Sequence, residues 1–214
     1  MKNCIILFIL ILSFSSCIFD GPNCPGDMTL PVSINPYKPY YNIGDTITIS
    51  SKFHKLLYDQ KTEKFYDASG YKFSPFVQLF AVDSSTEYNS YSRINELALY
   101  YNSFGDSIFK ESLGELVGEY RLLGDTLNVN IKIICIKKGY MMFRIGSLSS
   151  GDGHLQNNYQ FNCRGREINF HLKFPENNNI QLLQKFRSNE RNNWILSDSV
   201  NRFYNYAGYC FEVR

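Results

Sequence analysis

Thr126-Leu127-Asn128-Val129-Asn130-Ile131-Lys132-Ile133 sets Leu, Val, Ile and Ile at alternate positions with polar residues between them. A period of two is that of a β-strand with one face buried and the other wet. Upstream, Gly118-Glu119-Tyr120-Arg121-Leu122-Leu123 runs into the turn signal Gly124-Asp125. Downstream, Lys137-Lys138-Gly139 turns the chain into Tyr140-Met141-Met142-Phe143-Arg144-Ile145. Three strand-length runs divided by turn residues predict a three-stranded antiparallel meander over residues 118–146.

The same pattern extends in both directions. Residues 28–83 read as β: Thr46 to Ser50 follows Asn42-Ile43-Gly44-Asp45, and Phe76 to Val82 follows Pro75. Short strands broken by turns suggest a small sandwich. Tyr159 to Cys163, Ile168 to Phe174 and Tyr209 to Val213 read as further strands. Gln181 to Arg187 is expected to form one or two helical turns. Ser197-Asp198-Ser199 can cap a short helix running to Tyr206, with Gly208 just past its end. Ile94 to Tyr101 reads as strand or helix. Phe109, Leu113, Leu116, Val117 and Tyr120 fit helical spacing, but Gly114 and Gly118 would each cost about 1 kcal/mol in a helix interior. The expected class is mainly β, a sandwich or antiparallel meander with one or two short helices, α+β at the C-terminus. Two lobes are expected, an Ig-like one over 28–88 and a meander lobe with short C-terminal helices over 89–214.

The chain has 214 residues, 22 Lys+Arg against 20 Asp+Glu, and 44% hydrophobic residues, a globular composition. So small a net charge argues against a nucleic-acid partner, which calls for a basic stripe to displace counterions from phosphates.

Residues 1–16 have the layout of a signal peptide: Lys2, then the apolar run Cys4 to Phe14, then small residues. The run is short of the roughly 20 apolar residues that cross a bilayer. Phe14-Ser15-Ser16-Cys17 resembles the lipobox of bacterial lipoproteins, with Phe14 where that family usually has Leu. The resemblance implies cleavage before Cys17, thioether attachment of diacylglycerol to its sulfur, and acylation of the new amine. Residues 17–27 would then be a lipidated tether, since Asp20 to Asp27 is rich in Gly and Pro. The alternative is an ordinary signal peptide cut nearby, which leaves a secreted soluble protein. No acidic cluster follows Cys17. Surface-exposed lipoproteins of Bacteroidota often carry one, so the resemblance favours the periplasmic face of the outer membrane over the cell surface. Tyr40 to Ile47 resembles the entry to the first long strand of Ig-like domains in bacterial envelope proteins. Gly118-Glu119-Tyr120 with Gly124-Asp125-Thr126-Leu127 resembles the meanders of calycin-like and other Bacteroidota lipoproteins, a likeness of local geometry only.

After export Cys24, Cys135, Cys163 and Cys210 remain, an even number in an oxidising compartment. Four cysteines allow three pairings. Cys163 with Cys210 is preferred, both lying beside aromatic strand-like sequence, and Cys135 can equally be a buried thiol in the run Ile131 to Ile136. His54, His154 and His171 show no metal-ligand spacing, so neither a metal nor another cofactor is expected. His171 should lie on the polar face of its strand with Asn169 and Lys173. Gly151-Asp152-Gly153-His154 reads as a surface turn. No nucleophile elbow, P-loop or dinucleotide fingerprint is present. Sixteen Tyr and seventeen Phe, with clusters at Tyr37, Tyr40, Tyr41 and at Tyr204, Tyr206, Tyr209, suit a packed β core before a sugar-stacking platform. Asp45-Thr46-Ile47, Asp106-Ser107-Ile108, Asp125-Thr126-Leu127 and Asp198-Ser199-Val200 resemble the O-glycosylation sequon of exported Bacteroidota proteins, with Thr46, Ser107, Thr126 and Ser199 as acceptors. Three of the four follow Gly, which is also ordinary turn-to-strand chemistry.

The functional expectation is a lipid-anchored envelope protein, more a binding or structural module than an enzyme. Its partners would be the membrane and an envelope protein or glycan. The alternatives are a glycan hydrolase with an unlocated carboxylate pair, and an immunity or inhibitor lipoprotein binding one cognate protein.

Overall fold

Alternation in Thr126–Cys135 and continuous apolarity in Phe73–Ala81 call for different layers, because a strand buried on both faces has no wet side to mark. A computed structural model describes residues 25–26, 28–69, 73–83, 92–102, 110–112, 114–149, 170–174 and 178–214. The strands in chain order are β1 (Met28–Pro31), β2 (Ser33–Asn35), β3 (Tyr40–Tyr41), β4 (Thr46–His54), β5 (Leu56–Asp59), β6 (Lys64–Asp67), β7 (Phe73–Ala81), β8 (Ala98–Asn102), β9 (Lys110–Ser112), β10 (Glu115–Val117), β11 (Arg121–Leu123), β12 (Thr126–Cys135), β13 (Gly139–Ser149), β14 (Phe170–Lys173) and β15 (Tyr209–Val213). The helices are α1 (Ile94–Leu97), α2 (Gln181–Lys185) and α3 (Glu190–Ser197), followed by a π-helical turn at Val200–Tyr204. The chain is mainly β, as its strand patterns require.

A six-stranded sheet has the order β3-β15-β13-β7-β10-β9. A five-stranded sheet runs β11-β12-β4-β2, with β8 sharing the β11 edge of β12 further along that strand. Their inner faces make one core, with Ile47, Ile49 and Phe53 of β4 and Leu127, Val129, Ile131 and Ile133 of β12 facing Val77, Leu79, Phe143, Ile145, Tyr209 and Phe211. The other face of the six-stranded sheet is covered too. Phe80, Met142 and Cys210 pack with Leu183, Ile195 and Phe203 of the C-terminal helical segment. Phe143 and Met142 are therefore neighbours in sequence that serve opposite cores. The layers are sheet, sheet, helix. The outer sheet alternates and the middle one does not.

Three readings are corrected by this arrangement. The hairpin β11–β12 exists, but β13 does not continue it; residues 136–138 carry the chain into the other sheet, where β13 lies between β7 and β15. The lack of alternation in Tyr140 to Ile145 is the cause, since that run must bury both faces. The helical spacing through Leu116 and Val117 is instead the hairpin β9–β10, which turns at Gly114 with φ +78°. The boundary expected near residue 88 does not divide the sheets, as β4 pairs with β12, β7 with β13 and β1 with β14. Ile94 to Tyr101 is both things it resembled: one turn of helix, then strand.

Gln181–Lys185 is helical as expected, and the segment after Asp198 forms the π-helical turn. α3 has no apolar periodicity to announce it. The Asn189 side chain accepts from the Arg191 N–H and caps it. Asn192, fully buried, ties it to the end of β7 by donating to the Val82 carbonyl (2.9 Å) and to the preceding helix by donating to that of Phe186 (3.0 Å).

Candidate functional site

Cys17, Cys24, Cys163, Ser107, His154 and the residues 151–154 lie outside the described residues. Cys135 and Cys210 are free, buried thiols, Cys135 between the sheets and Cys210 under the helices, so neither forms a bridge here. Burial pushes the Cys135 thiol up to about 12 and the Cys210 thiol higher still. A thiolate is the reactive form, so both are expected to resist iodoacetamide at pH 8 until denaturant is added; peptide mapping that finds Cys135 or Cys210 alkylated in the native protein would contradict this. Burial also raises the hydroxyls of Tyr41, Tyr120 and Tyr209. The folded chain therefore holds these protons longer than the unfolded one, and unfolding releases them. Stability is expected to fall as pH rises above about 8.5, the ordinary thiol value, and more steeply above about 10. Urea midpoints measured from pH 7 to 11 check this, and a flat profile would oppose it.

The aromatic clusters divide. Tyr37, Tyr41 and Tyr209 come together inside: the Tyr37 and Tyr209 rings lie 5.2 Å apart, Tyr209 stacks on Phe211 at 5.7 Å, and Phe211 on Phe143 at 4.9 Å. The Tyr41 hydroxyl donates to the Pro36 carbonyl at 2.6 Å, and the Tyr209 hydroxyl donates to that of Lys38. Tyr40 and Tyr204 stay exposed. His54 accepts the Leu56 N–H at its Nδ1 (3.0 Å), and His171 is half-buried on β14. Thr46 is exposed, and Thr126 and Ser199 are half-buried. Thr46 and Thr126 each follow a Gly-Asp turn, with Gly44 at φ +88° and Gly124 at φ +61°. At the first turn Asp45 accepts the Asn42 N–H (2.9 Å); at the second Asp125 pairs with Lys55 (2.7 Å).

A cavity between the sheets, lined by Val32, Ser51, Val77, Tyr120, Val129 and Ile145 among others, is about the size of one water molecule. Among the described residues no cluster of His, Cys, Asp or Glu could hold a metal ion. Nor, among those residues, is any helix long and apolar enough to cross a membrane. The carboxylates of Asp67, Glu96, Asp125 and Glu212 are all held below their ordinary range by hydrogen bonds, chiefly from Ser69, Arg93, Lys55 and Arg214 respectively. A glycosidase's general acid needs the opposite shift.

What the fold does build is a surface rim at one end of the β4–β12 ladder. That ladder pairs Thr126 with His54 at one end and Ile134 with Thr46 at the other, about 27 Å away at strand rise. At the second end three backbone hydrogen bonds draw separate segments together. Ile43 N–H donates to Arg214 (3.1 Å), Gly44 N–H to Cys135 (3.0 Å), and Ile136 N–H to Leu97 (3.0 Å). Leu99 is paired with Ile134 across the sheet. Ile43 is 47% exposed, Leu99 48% and Ile136 39%, and on the same strand as Leu99 lies Tyr101, 53% exposed. Tyr40 flanks them under the Arg214 guanidinium, 4.3 Å from its ring centre. Lys137 and Lys138 stand exposed at the border.

No family model and no curated protein matches the chain. Among solved structures it is similar to the human F-spondin reeler domain, at 7% identity and TM-score 0.35, over 63% of this chain and 86% of that one. It is also similar to a type II cohesin domain from the cellulosome of Acetivibrio cellulolyticus, at 8% identity and TM-score 0.33, over 59% and 79%. A cohesin–X-dockerin complex of the same organism matches at 12% identity and TM-score 0.35, over 70% and 96%. With scores this low, function has to be argued from the chain's own surface.

The rim carried a signal in sequence that the alternation of Leu127 to Ile133 obscured. Beyond Ile133 the parity continues, with Cys135 inward and Ile134 and Ile136 outward, yet all three are apolar. Ala98-Leu99-Tyr100-Tyr101 likewise has apolar residues on both faces. Apolar side chains at solvent-side positions mark a surface meant to be covered.

Proposed function

We propose that the chain is a lipid-anchored protein of the bacterial envelope. Cys17 holds it to the outer membrane, on the periplasmic face, and the Ile43–Leu99–Ile136 rim binds a partner protein. The observation that carries the binding reading is the rim itself: aliphatic side chains from three chain segments, left exposed at one end of a body whose cavity between the sheets is only water-sized. Three aliphatic groups set beside Tyr40 and Tyr101 suit the mixed apolar centre of a protein interface better than a glycan, which calls for aromatic faces alone. Lys137 and Lys138 at the border suit a partner with acidic residues around an apolar centre. The anchor is supported by the lipobox-like Phe14-Ser15-Ser16-Cys17.

Pull-down from detergent-solubilised native envelope tests the rim. Leu99→Asp with Ile136→Asp is expected to lower recovery of a partner protein by about tenfold or more, the scale of hot-spot residues. Both side chains are exposed, so the fold should survive. Equal recovery by wild type and variant would refute the assignment.

A further inference from the structure

Asp59 ties the beginning of the described chain to the β5–β6 hairpin. The residue is fully buried. Its Oδ1 accepts the Gly26 N–H at 3.0 Å, and its Oδ2 accepts both the Thr62 N–H (2.9 Å) and the Thr62 hydroxyl (2.6 Å). The Tyr66 hydroxyl donates to Thr62 Oγ1 at 2.9 Å and closes the network. The chain entering β1 therefore lies against the hairpin turn. A Cβ added at Gly26 would stand 3.0 Å from Lys61 Cδ.

The hairpin has two unlike faces. Leu57 and Tyr66 point into the core. Leu56, Tyr58 and Phe65 point away and are 43%, 49% and 68% exposed, with the Tyr58 and Phe65 rings 5.2 Å apart. No other large apolar side chain among the described residues is as exposed as Phe65. A two-stranded hairpin is marginal by itself, yet this one is braced by a buried carboxylate while it shows two aromatic rings and a Leu to solvent.

We propose that the β5–β6 hairpin is a second membrane contact, with Leu56, Tyr58 and Phe65 seated in the interfacial layer of the bilayer that holds Cys17. This rests on the reading of Cys17 as lipidated. Nine residues lead from Cys17 to Gly26, and even fully extended they reach about 30 Å. The tether leaves the body at the hairpin end, so that end meets the bilayer with the tether slack, whereas the rim, about 27 Å away, would need the tether drawn out almost fully. Tyrosine suits the headgroup level, with its ring in the apolar layer and its hydroxyl wet; Phe65 goes deeper, while Leu56, paired across the hairpin with the charged Asp67, stays at the headgroup edge. Lys61 and Lys64 border the face with exposed side chains that can reach anionic headgroups; Glu63 and Asp67 offset much of this charge, so apolar burial is the main attraction. Tethering makes the contact intramolecular, so that a weak interaction suffices. The rim, a ladder's length of about 27 Å from this end, is then held off the bilayer.

Tryptophan placed at each end reads the orientation. The acylated full chain carrying Trp194→Phe with either Phe65→Trp or Leu99→Trp is reconstituted into vesicles of phosphatidylethanolamine and phosphatidylglycerol, with and without brominated acyl chains, and floated on a gradient. Both proteins are expected to float, Phe65→Trp with blue-shifted emission that loses most of its intensity to bromine, and Leu99→Trp with water-like, unquenched emission. Flotation with the two positions alike, both quenched or both unquenched, overturns the hairpin contact and leaves the anchor standing. Failure of both to float overturns the anchor and the hairpin contact together.

Discussion

Phe143→Ala should destabilise the fold by about 3–5 kcal/mol, the range for emptying a buried aromatic site. Phe143 is fully buried in the middle strand of the sandwich, stacked on Phe211 at 4.9 Å and hydrogen-bonded on both sides through β7 and β15. Neighbouring strands cannot collapse into the void without breaking their ladders, so most of the cavity would remain. Against a typical total of about 5–15 kcal/mol, the loss is a large share of the stability. The control is Phe65→Ala, the same chemical change at a residue 68% exposed, expected to stay within about 0.5 kcal/mol. Urea denaturation of both variants gives the comparison. Equal midpoints would mean that Phe143 does not lie where the two sheets pack.

Gly114→Ala should cost about 2–5 kcal/mol, a left-handed backbone penalty plus overpacking. The residue sits at φ +78° in the β9–β10 turn, and a Cβ there would lie 2.1 Å from the Ser92 carbonyl oxygen. That oxygen is main chain and cannot rotate aside. Ser92 is itself fixed, its hydroxyl accepting the Leu79 N–H at 2.8 Å, and Ile94 N–H donates to the Gly114 carbonyl at 3.3 Å. The substitution would push α1 away from β7. Gly44→Ala is the comparison: its φ is +88°, but nothing lies within 4 Å of the added Cβ, so only the backbone penalty applies. Thermal melts that rank Gly44→Ala as the more damaging would contradict this packing.

The strands were legible wherever a residue's neighbours in sequence settle which side it faces. Leu127 to Ile133 shows its burial in its own alternation, and Gly-Asp turns before Thr46 and Thr126 mark where both long outer strands begin. Pairing was not legible. Whether β13 follows β12 in one sheet or crosses to the other is decided by a helical layer some forty residues further on, which makes the outward face of Met142 and Phe80 a buried one. α3 escaped notice because its eight residues bury only Asn192 and Ile195, too few for an apolar stripe. The rim and the hairpin face were hidden for a shared reason. In Leu56-Leu57, Phe65-Tyr66 and Leu99-Tyr100 one residue of each pair serves the core and the other does not, and sequence alone does not say which. Asp59 is the reverse case: an acidic residue in a turn reads as surface, and only the Gly26 and Thr62 donors explain its burial.

Detergent-phase partitioning of wild type and Cys17→Ser, expressed in the native host, bears on everything said about where this protein works. The wild-type chain is expected in the detergent phase and the Ser variant in the aqueous phase, since a serine cannot accept the thioether-linked diacylglycerol and the described body has no spanning helix to replace it. A Cys17→Ser protein that stays in the detergent phase would contradict lipid anchoring, and with it the membrane-facing hairpin and the outward-facing rim.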